Sequence, residues 1–370
     1  MAQMEEKCSC KSKVSGKSVQ YNKLEPALRL ELRTIVKALS LPGKGLLAAD
    51  ESPSSLGERF KLLDLENSET TRRDYRQMLF STDKSILAQY ISGILLHHET
   101  LYQKTSDNLE FVELLSQKCI IPGIKVDKGL VEIFGTEGEK TTQGLDDLQE
   151  RCIQYKRDGC HFTKWRCVFK ISDKLPSRLA IVTNSNVLAR YATISQSARL
   201  VPIVEPEILN EGDFTLEKAL DVHEEVLSTL FQVFKENNVY LEGMILKPAM
   251  VLPGTNSKLN FPPQTIAEYT ITALQRTVPT AVQTILFLSG GQPDYTAFLN
   301  LNAINLYDSK KPWTLTFCFG RALQNEAMKV WNGDSTNILK AQEIFLARAK
   351  LCSQASEGQM EEDFSLNENQ

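Results

Sequence analysis

The sequence predicts an α/β protein built as a single (β/α)8 TIM barrel. Strand-sized apolar runs alternate with helix-sized amphipathic stretches along most of the 370 residues, a pattern typical of parallel sheets. Eight such runs recur at intervals of roughly 30–45 residues, which suits eight βα units with long loops. No linker composition divides the chain. We therefore expect one barrel over residues 23–352, flanked by a flexible N-terminal arm at 1–22 and a flexible C-terminal tail at 353–370.

The predicted elements follow one another in a regular order. Residues 23–40 place apolar side chains at helical spacing and end at Leu-Pro-Gly, so they are predicted as a first helix. Amphipathic stretches such as 216–238 and 264–278 are predicted as later helices. The tail from 353 is polar and acidic, which is typical of a segment outside a packed core. The eight predicted strands lie at 45–49, 91–96, 120–126, 162–169, 200–205, 243–247, 284–288 and 313–319.

Composition excludes several classes of function. The formal net charge is −4, so binding of nucleic acid through bulk positive charge is not expected. No run of 18 apolar residues is present and residues 1–20 lack the apolar core of a signal peptide. We therefore expect a cytoplasmic protein that does not bind membranes. The eight cysteines show no paired spacing and are predicted to be reduced thiols, and Cys8-Ser-Cys10 supplies only half of a metal site.

Polar side chains lie in or directly after nearly every predicted strand. In a (β/α)8 barrel, catalytic groups collect at the C-terminal ends of the strands. Any one of these charges is more readily explained as a loop-edge residue, but seven of eight strands ending in charge or in a glycine-rich turn favours a functional site. In strand order these residues are Asp50, Glu51 and Ser52; Lys125 and Asp127; Lys164 and Arg166; Glu205 and Glu207; Lys247; Ser289, Gly290 and Gly291; and Gly320 and Arg321.

Lys247 ends an apolar strand in the segment MILKPAM, residues 244–250. Burial and a neighbouring cation such as Lys164 both disfavour the ammonium form, so its pKa is predicted to fall towards neutrality. A neutral lysine can attack a carbonyl carbon to form a Schiff base. The alternative is a structural lysine paired with a carboxylate, for instance Glu205, and the segment by itself does not decide between the two.

Two groups of residues are predicted to bind phosphate. The strand FLSGGQ, 287–292, runs into Ser-Gly-Gly, where backbone N–H groups can approach an anion closely. With Arg321 after the next strand, Ser289, Gly290 and Gly291 form what we term the first phosphate pole. Lys125, Arg166 and Arg59 offer a second phosphate pole. Two poles on one barrel mouth suit a substrate with a phosphate at each end.

Histidines give no indication of a metal site. His97 and His98 are adjacent, while His161 and His223 are isolated. No spacing of His, Asp and Glu resembles a metal site, so we expect neither a metal nor another cofactor. Carbon–carbon lyases without a lysine imine generally need a metal to stabilise the enolate.

The sequence closely resembles the class I fructose-bisphosphate aldolases. The resemblance extends from about residue 25 to about residue 350 and rests on many stretches together. They are GKGLLAADES, ISGILLHHETLYQK, GIKVDKGLV, TTQGLDDLQERC, KWRCVFKI, NVLARYA, VPIVEPEIL, LEGMILKPAMV, FLSGGQ, NLNAIN and FGRALQ.

This resemblance implies a metal-independent lyase that cleaves fructose 1,6-bisphosphate reversibly into dihydroxyacetone phosphate and glyceraldehyde 3-phosphate, in glycolysis and gluconeogenesis, and that also takes fructose 1-phosphate. It implies that Lys247 forms the imine with C2 of the ketose and that Lys164 assists it. Asp50 would take the C4 hydroxyl proton, Glu205 would act as acid in dehydration of the carbinolamine, and Glu207 would polarise that corner. The implied substrate-binding residues are Ser289, Gly290, Gly291 and Arg321 for the C1 phosphate, and Ser52, Ser55, Arg59, Lys125 and Arg166 around the C6 phosphate. The family is typically homotetrameric.

Several positions depart from the family pattern. Ala249 replaces an Asn, Cys318 and Phe319 replace Ser-Tyr, and Glu58 stands where a Lys is frequent. Family members also end in a tyrosine that enters the site, whereas the last tyrosine here is Tyr307. We therefore expect slower protonation of the enamine and a weaker preference for the bisphosphate. The alternative hypothesis is an impaired paralogue that acts as a cytosolic scaffold, for example for a cytoskeletal partner.

Overall fold

The computed structural model describes residues 24–360, in which eight parallel strands close into a barrel. Each of the eight strands predicted from the sequence is present, which confirms the predicted fold class. In chain order, the strands of the described chain are β1 (Gly45–Ala49), β2 (Ile91–Leu96), β3 (Ile121–Lys125), β4 (Leu130–Glu132), β5 (Lys140–Thr142), β6 (Phe162–Phe169), β7 (Val201–Ile208), β8 (Ile245–Leu246), β9 (Thr284–Phe287) and β10 (Thr314–Phe319).

The order of strands around the barrel is β1-β10-β9-β8-β7-β6-β3-β2, and β2 pairs with β1 to close the ring. In a ring of eight, strands four places apart face each other. β2 therefore lies opposite β8, and β3 lies opposite β9. Because all eight strands are parallel, their C-terminal ends meet at one mouth.

Helices surround the barrel. They are α1 (Pro26–Leu39), α2 (Pro53–Lys61), α3 (Glu69–Phe80), α4 (Lys84–Tyr90), α5 (His98–Leu101), α6 (Phe111–Gln117), α7 (Leu148–Arg157), α8 (Arg178–Ser197), α9 (Leu216–Glu236), α10 (Pro263–Thr277), α11 (Asp294–Leu306), α12 (Arg321–Trp331) and α13 (Ile338–Ser356). α9 illustrates how the local sequence determines where a helix starts and which face is buried. The side chain of Thr215 accepts a hydrogen bond from the N–H of Lys218, so it caps the N-terminus, and Val222, Val226 and Leu230 recur on the buried face.

The core has two parts. The larger one lies between the strands and the surrounding helices. The smaller one fills the barrel interior with side chains such as Phe162, Ile203 and Leu286, and α1 adds Leu32 and Val36 to it. One end of the barrel is thus plugged by apolar side chains, which leaves the charged residues to the opposite end.

Three features differ from the sequence prediction or lie beyond it. β4 and β5 form an antiparallel hairpin between β3 and α7 that was not predicted. The predicted tail boundary at 353 falls inside α13, which continues to Ser356. Burial of Ser353 and Ala355 on the face that packs against the barrel accounts for this continuation. The predicted arm, 1–22, and the last ten residues of the predicted tail lie outside the described residues.

Within residues 24–360, no helix has the length and apolar character needed to cross a bilayer. The six cysteines of this part of the chain are free thiols, and all but Cys119 are buried.

Candidate active site

Four charged side chains meet inside the mouth of the barrel. Asp50 follows β1, Lys164 lies in β6, Glu205 lies in β7 and Lys247 follows β8. Each is buried, with 7%, 5%, 4% and 4% exposed, respectively. These four strands therefore bring together four of the five residues for which the resemblance implied a catalytic role; the fifth is Glu207.

Glu205 lies between the two lysines. Its Oε1 is 2.7 Å from Nζ of Lys247, and its Oε2 is 3.2 Å from Nζ of Lys164. Lys164 Nζ also lies 2.8 Å from Oδ2 of Asp50. Two positive and two negative groups thus neutralise one another, which is the condition under which charges tolerate burial.

The carboxylates stay ionised because of the lysines. Burial raises the pKa of Asp50, but Lys164 and Lys247 more than offset it and lower that pKa to about 2. The pKa of Glu205 is also lowered: burial opposes this, and Lys164 and Lys247 outweigh it. The pKa of Lys164 is raised well above its usual range by Asp50 and Glu205, against the effect of burial. All three groups are therefore charged near pH 7.

The predicted fall in the pKa of Lys247 is wrong, because its surroundings raise that pKa above the ordinary value. Burial, the largest effect, and Lys164 lower this pKa, but Cys318, Glu205 and Asp50 raise it by more. Because burial raises the pKa of Cys318 to about 11, that thiol is neutral near pH 7 and the carboxylates carry the effect there. Lys247 thus has the carboxylate partner of the alternative hypothesis, and Glu205 can accept its proton across 2.7 Å.

The first phosphate pole depends on two glycines after β9. Gly291 has φ +72°, and a Cβ there would lie 1.8 Å from Oδ1 of Asn210. A Cβ on Gly290 would lie 2.7 Å from Oε1 of Glu207. Ser289 is partly buried, and Arg321 is exposed at the start of α12. Only glycine fits this turn without displacing its neighbours.

Each cation of the second phosphate pole has an acidic partner. Lys125 Nζ is 2.6 Å from Oδ1 of Asp127, and Arg166 is paired with Glu207. Arg59 is 2.6 Å from Oε1 of Glu51. An incoming phosphate therefore competes with a carboxylate for each of these cations.

The two serines of this pole lie at the start of α2. The hydroxyl of Ser52 accepts a hydrogen bond from the backbone N–H of Ser55, so Ser52 caps the helix. The two hydroxyls are 3.0 Å apart. Glu58, the neighbour of Arg59 in sequence, is exposed, and the acid that pairs with Arg59 is Glu51.

Two cavities open at the mouth and share Asp50, Lys164 and Arg166. One, of about 420 Å³, contains Lys247 and the first phosphate pole apart from Gly291. The other, of about 750 Å³, extends towards Lys125. Together they form one cleft with the buried lysines at its centre.

Sequence reasoning named Glu51 as a strand-end residue without giving it a role, and it missed His97 of this cleft and the buried Arg76, which binds Glu51. Glu51 binds Arg59 and also the buried Arg76, whose Nη2 lies 2.7 Å from Oε2 of Glu51. His97 lines the larger cavity. His97 comes directly after β2, so the rule for strand ends, which identified Glu51, could have found His97 as well. Arg76 lies in α3, and no local pattern indicates its role.

Three of the positions that depart from the family pattern are buried in the same region. They are Ala249, Cys318 and Phe319. Cys318 lies in β10 and lines the cavity that holds Lys247, and Phe319 stacks on Phe298 with ring centroids 6.1 Å apart. Ala249 follows the Lys-Pro step and is 5% exposed. In the part of the chain that the structure describes, no group of three or more His, Cys, Asp or Glu side chains could hold a metal ion.

Comparisons with known proteins agree with this geometry. The family model of fructose-bisphosphate aldolase class-I matches residues 31–370. The chain is 52% identical over 338 residues to fructose-bisphosphate aldolase of Drosophila melanogaster, covering 91% of this chain and 93% of the relative. It is 53% identical over 331 residues to the enzyme of Echinococcus multilocularis, covering 90% and 91%.

A solved structure is similar over nearly the whole fold. It is fructose-bisphosphate aldolase from Plasmodium falciparum in complex with TRAP and a small-molecule inhibitor, with a TM-score of 0.90 and 45% identity, covering 92% of this chain and 98% of that chain. The match in sequence, fold and strand-end residues leads to one conclusion: the chain belongs to the class I fructose-bisphosphate aldolase family.

Proposed function

We propose that the protein cleaves fructose 1,6-bisphosphate reversibly into dihydroxyacetone phosphate and glyceraldehyde 3-phosphate through a Schiff base on Lys247. Family membership supports the reaction. One observation carries the assignment of residues: Lys247 lies buried in the mouth of the barrel, 2.7 Å from a carboxylate that can move its proton. The iminium accepts the electrons of the breaking bond, which is the task of a metal in other lyases.

Imine formation begins with Lys247 as an ammonium. Glu205 takes one proton, and the neutral amine attacks C2 of the ketose as the π bond of the carbonyl breaks. A proton passes from the nitrogen to the former carbonyl oxygen, which gives the carbinolamine. The proton on Glu205 then goes to the carbinolamine hydroxyl, which leaves as water as the iminium forms. A C–N bond has formed, a C–O bond has broken, and Glu205 is a carboxylate again. Lys164 keeps Glu205 ionised between turnovers.

Cleavage of the C3–C4 bond requires a base at the C4 hydroxyl. Asp50 is ionised at neutral pH, but its pKa of about 2 makes it a weak base. As the bond breaks, its electron pair neutralises the iminium at Lys247, and the lowering effect of that charge on Asp50 disappears. The basicity of Asp50 therefore increases as the C4 hydroxyl proton arrives.

The two phosphate poles would hold the ends of the substrate. Ser289, Gly290, Gly291 and Arg321 lie beside Lys247 and would bind the C1 phosphate. Ser52, Ser55, Arg59, Lys125 and Arg166 would surround the C6 phosphate. β3, with Lys125, and β9, which precedes the first pole, are opposite in the ring, which supports this division. Glu207 is paired with Arg166 and would polarise the corner between the poles.

The cellular location, the oligomeric state and the pathway are also proposed from the family. We infer a cytoplasmic homotetramer that acts in glycolysis and gluconeogenesis, as the family's description as glycolytic suggests. Size-exclusion chromatography with light scattering of the full chain would give the mass directly, and a monomer would contradict this part of the proposal.

The test of the chemistry is borohydride trapping. Incubation with dihydroxyacetone phosphate and reduction should add mass at Lys247, and Lys247→Met should give neither adduct nor cleavage. A chelator should leave activity unchanged. Cleavage by Lys247→Met, or loss of activity with the chelator, would overturn the mechanism. Absence of an adduct on the unaltered protein would favour the scaffold hypothesis.

A further inference from the structure

The larger cavity contains an imidazole that the mechanism above does not use. His97 directly follows β2 and lines the cavity of about 750 Å³ together with Lys125, Arg166 and Ser55. β2 is adjacent to β3 and lies opposite β8 in the ring. His97 therefore lies across the mouth from Lys247, on the side of Lys125.

The tautomer of His97 is set by a backbone N–H of the helix that it caps. His97 is the N-cap of α5, and its Nδ1 accepts a hydrogen bond from the N–H of Glu99 at 3.2 Å. A ring nitrogen that accepts carries no proton, so the neutral ring has its proton on Nε2. Burial and then Lys125 lower the pKa of His97 to about 4, against Asp50, so the ring is neutral near pH 7.

The Nε2–H group differs from the cationic donors of this cavity. Lys125 is held by Asp127, and Arg166 by Glu207, so each must leave a carboxylate to bind an anion. Among residues 24–360, we find no protein acceptor for Nε2 of His97. A fixed neutral donor loses no ion pair when a ligand arrives, and its bond to a doubly charged oxygen group is charge-assisted.

We propose that Nε2–H of His97 donates a hydrogen bond to the phosphate on the aldehyde half of the substrate, the part released as glyceraldehyde 3-phosphate. His97 is then a specificity-determining residue that favours ketoses with a second phosphate over those with one. The inference rests on the proposed function, and it adds a residue that contacts the far end of the substrate without contacting the imine.

Two variants separate the hydrogen bond to substrate from the helix cap. His97→Ser keeps an oxygen that can accept from the Glu99 N–H but has no group that reaches into the cavity. His97→Asn keeps the cap and also supplies an amide N–H donor. We expect His97→Ser to raise KM for fructose 1,6-bisphosphate about tenfold, with kcat/KM for fructose 1-phosphate within about twofold of the unaltered protein. His97→Asn should recover part of the loss.

Trapping with dihydroxyacetone phosphate supplies the control, because that ligand occupies only the half of the site around Lys247. Both variants should give the same adduct yield as the unaltered protein. The inference is overturned if His97→Ser leaves KM for the bisphosphate unchanged, or if both sugars are affected equally, which would indicate a structural role. Failure of the unaltered protein to form the adduct would instead overturn the proposed function.

Discussion

At the scale of single residues, the centre of the site is a neutral set of four buried charges. They form three ion pairs: Lys164 with Asp50, Lys164 with Glu205, and Lys247 with Glu205. A buried charge that loses its partner is far more costly than the complete pair. Each of the four therefore contributes to both stability and chemistry, and substitutions must be judged by both measures.

The position of Lys247 could be predicted from sequence, but the direction of its pKa could not. The apolar run and the strand-end rule place it in the mouth of the barrel. Its partner Glu205 lies 42 positions earlier and reaches it only because β7 and β8 are neighbours. The pKa of Lys247 depends on how strongly burial, one cation and two carboxylates act on it. Those strengths depend on distances in the folded protein, which a local stretch of sequence does not reveal.

Glu205→Gln should separate proton transfer from nucleophilic attack. The amide keeps the size of the side chain but cannot accept the proton of Lys247, so kcat should fall by about 10²–10⁴-fold. The borohydride adduct at Lys247 should still form, more slowly, because the amine remains. Steady-state kinetics and mass spectrometry measure the two effects. As a control, Glu236→Gln changes an exposed residue at the end of α9 and should alter neither. An unchanged kcat for Glu205→Gln would contradict the proposed role.

The lowered pKa of Asp50 should make the free energy of unfolding depend on pH in the acidic range. Its pKa is about 2 in the folded protein, against an ordinary value of 3.8. A lowered pKa stabilises the folded state above the ordinary value, and this contribution is lost as pH falls towards the folded value. Asp50→Asn lacks this contribution. The difference in free energy of unfolding between the two proteins should therefore shrink by about 1 kcal/mol from pH 6 to pH 3. Urea unfolding measures it, and a constant difference would contradict the ion pair with Lys164.

At the scale of elements, buried strands are predictable and short exposed ones are not. β6 and its neighbours are buried on both faces, so they read as continuous apolar runs. β4 and β5 have three residues each, are mostly exposed or half-buried, and carry charge. Their pairing comes from the tertiary fold rather than from a sequence pattern. The end of α13 was missed for a similar reason, since Ser353 and Gln354 look polar although the helix continues through them.

The turn after β9 offers a test of the first phosphate pole. Gly291→Ala places a Cβ 1.8 Å from Asn210 at φ +72°, so the turn must move and its N–H groups must leave their positions. We expect kcat/KM for fructose 1,6-bisphosphate to fall at least about tenfold. Gly135→Ala is the matched control, because Gly135 has φ +85° but no atom within 4 Å of a Cβ. It should lose about 1 kcal/mol of stability and keep its kinetics. Equal kinetics in both variants would contradict the assignment of this pole.

At the scale of the whole molecule, the apolar plug and the charged site lie at opposite ends of the barrel. α1 and the apolar interior close one end, while the charged residues occupy the other. The protein as a whole carries a formal charge of −4, yet its two phosphate poles present cations to an anionic sugar. Attraction within the cleft must therefore exceed the weak repulsion from the rest of the surface.

This arrangement predicts how affinity responds to salt. Cations with partly exposed side chains, such as Lys125 at 19% and Arg166 at 37%, attract substrate through water and are screened by ions. Raising sodium chloride from about 0.05 M to about 0.5 M shortens the screening length severalfold, so KM for fructose 1,6-bisphosphate should rise severalfold. KM for fructose 1-phosphate should rise less, because one of the two poles has no phosphate to attract. Chloride is preferred to sulfate, which would compete for the same poles. If both sugars responded equally, only one pole would be taking part in binding, and the division of the cleft into two phosphate poles would be wrong.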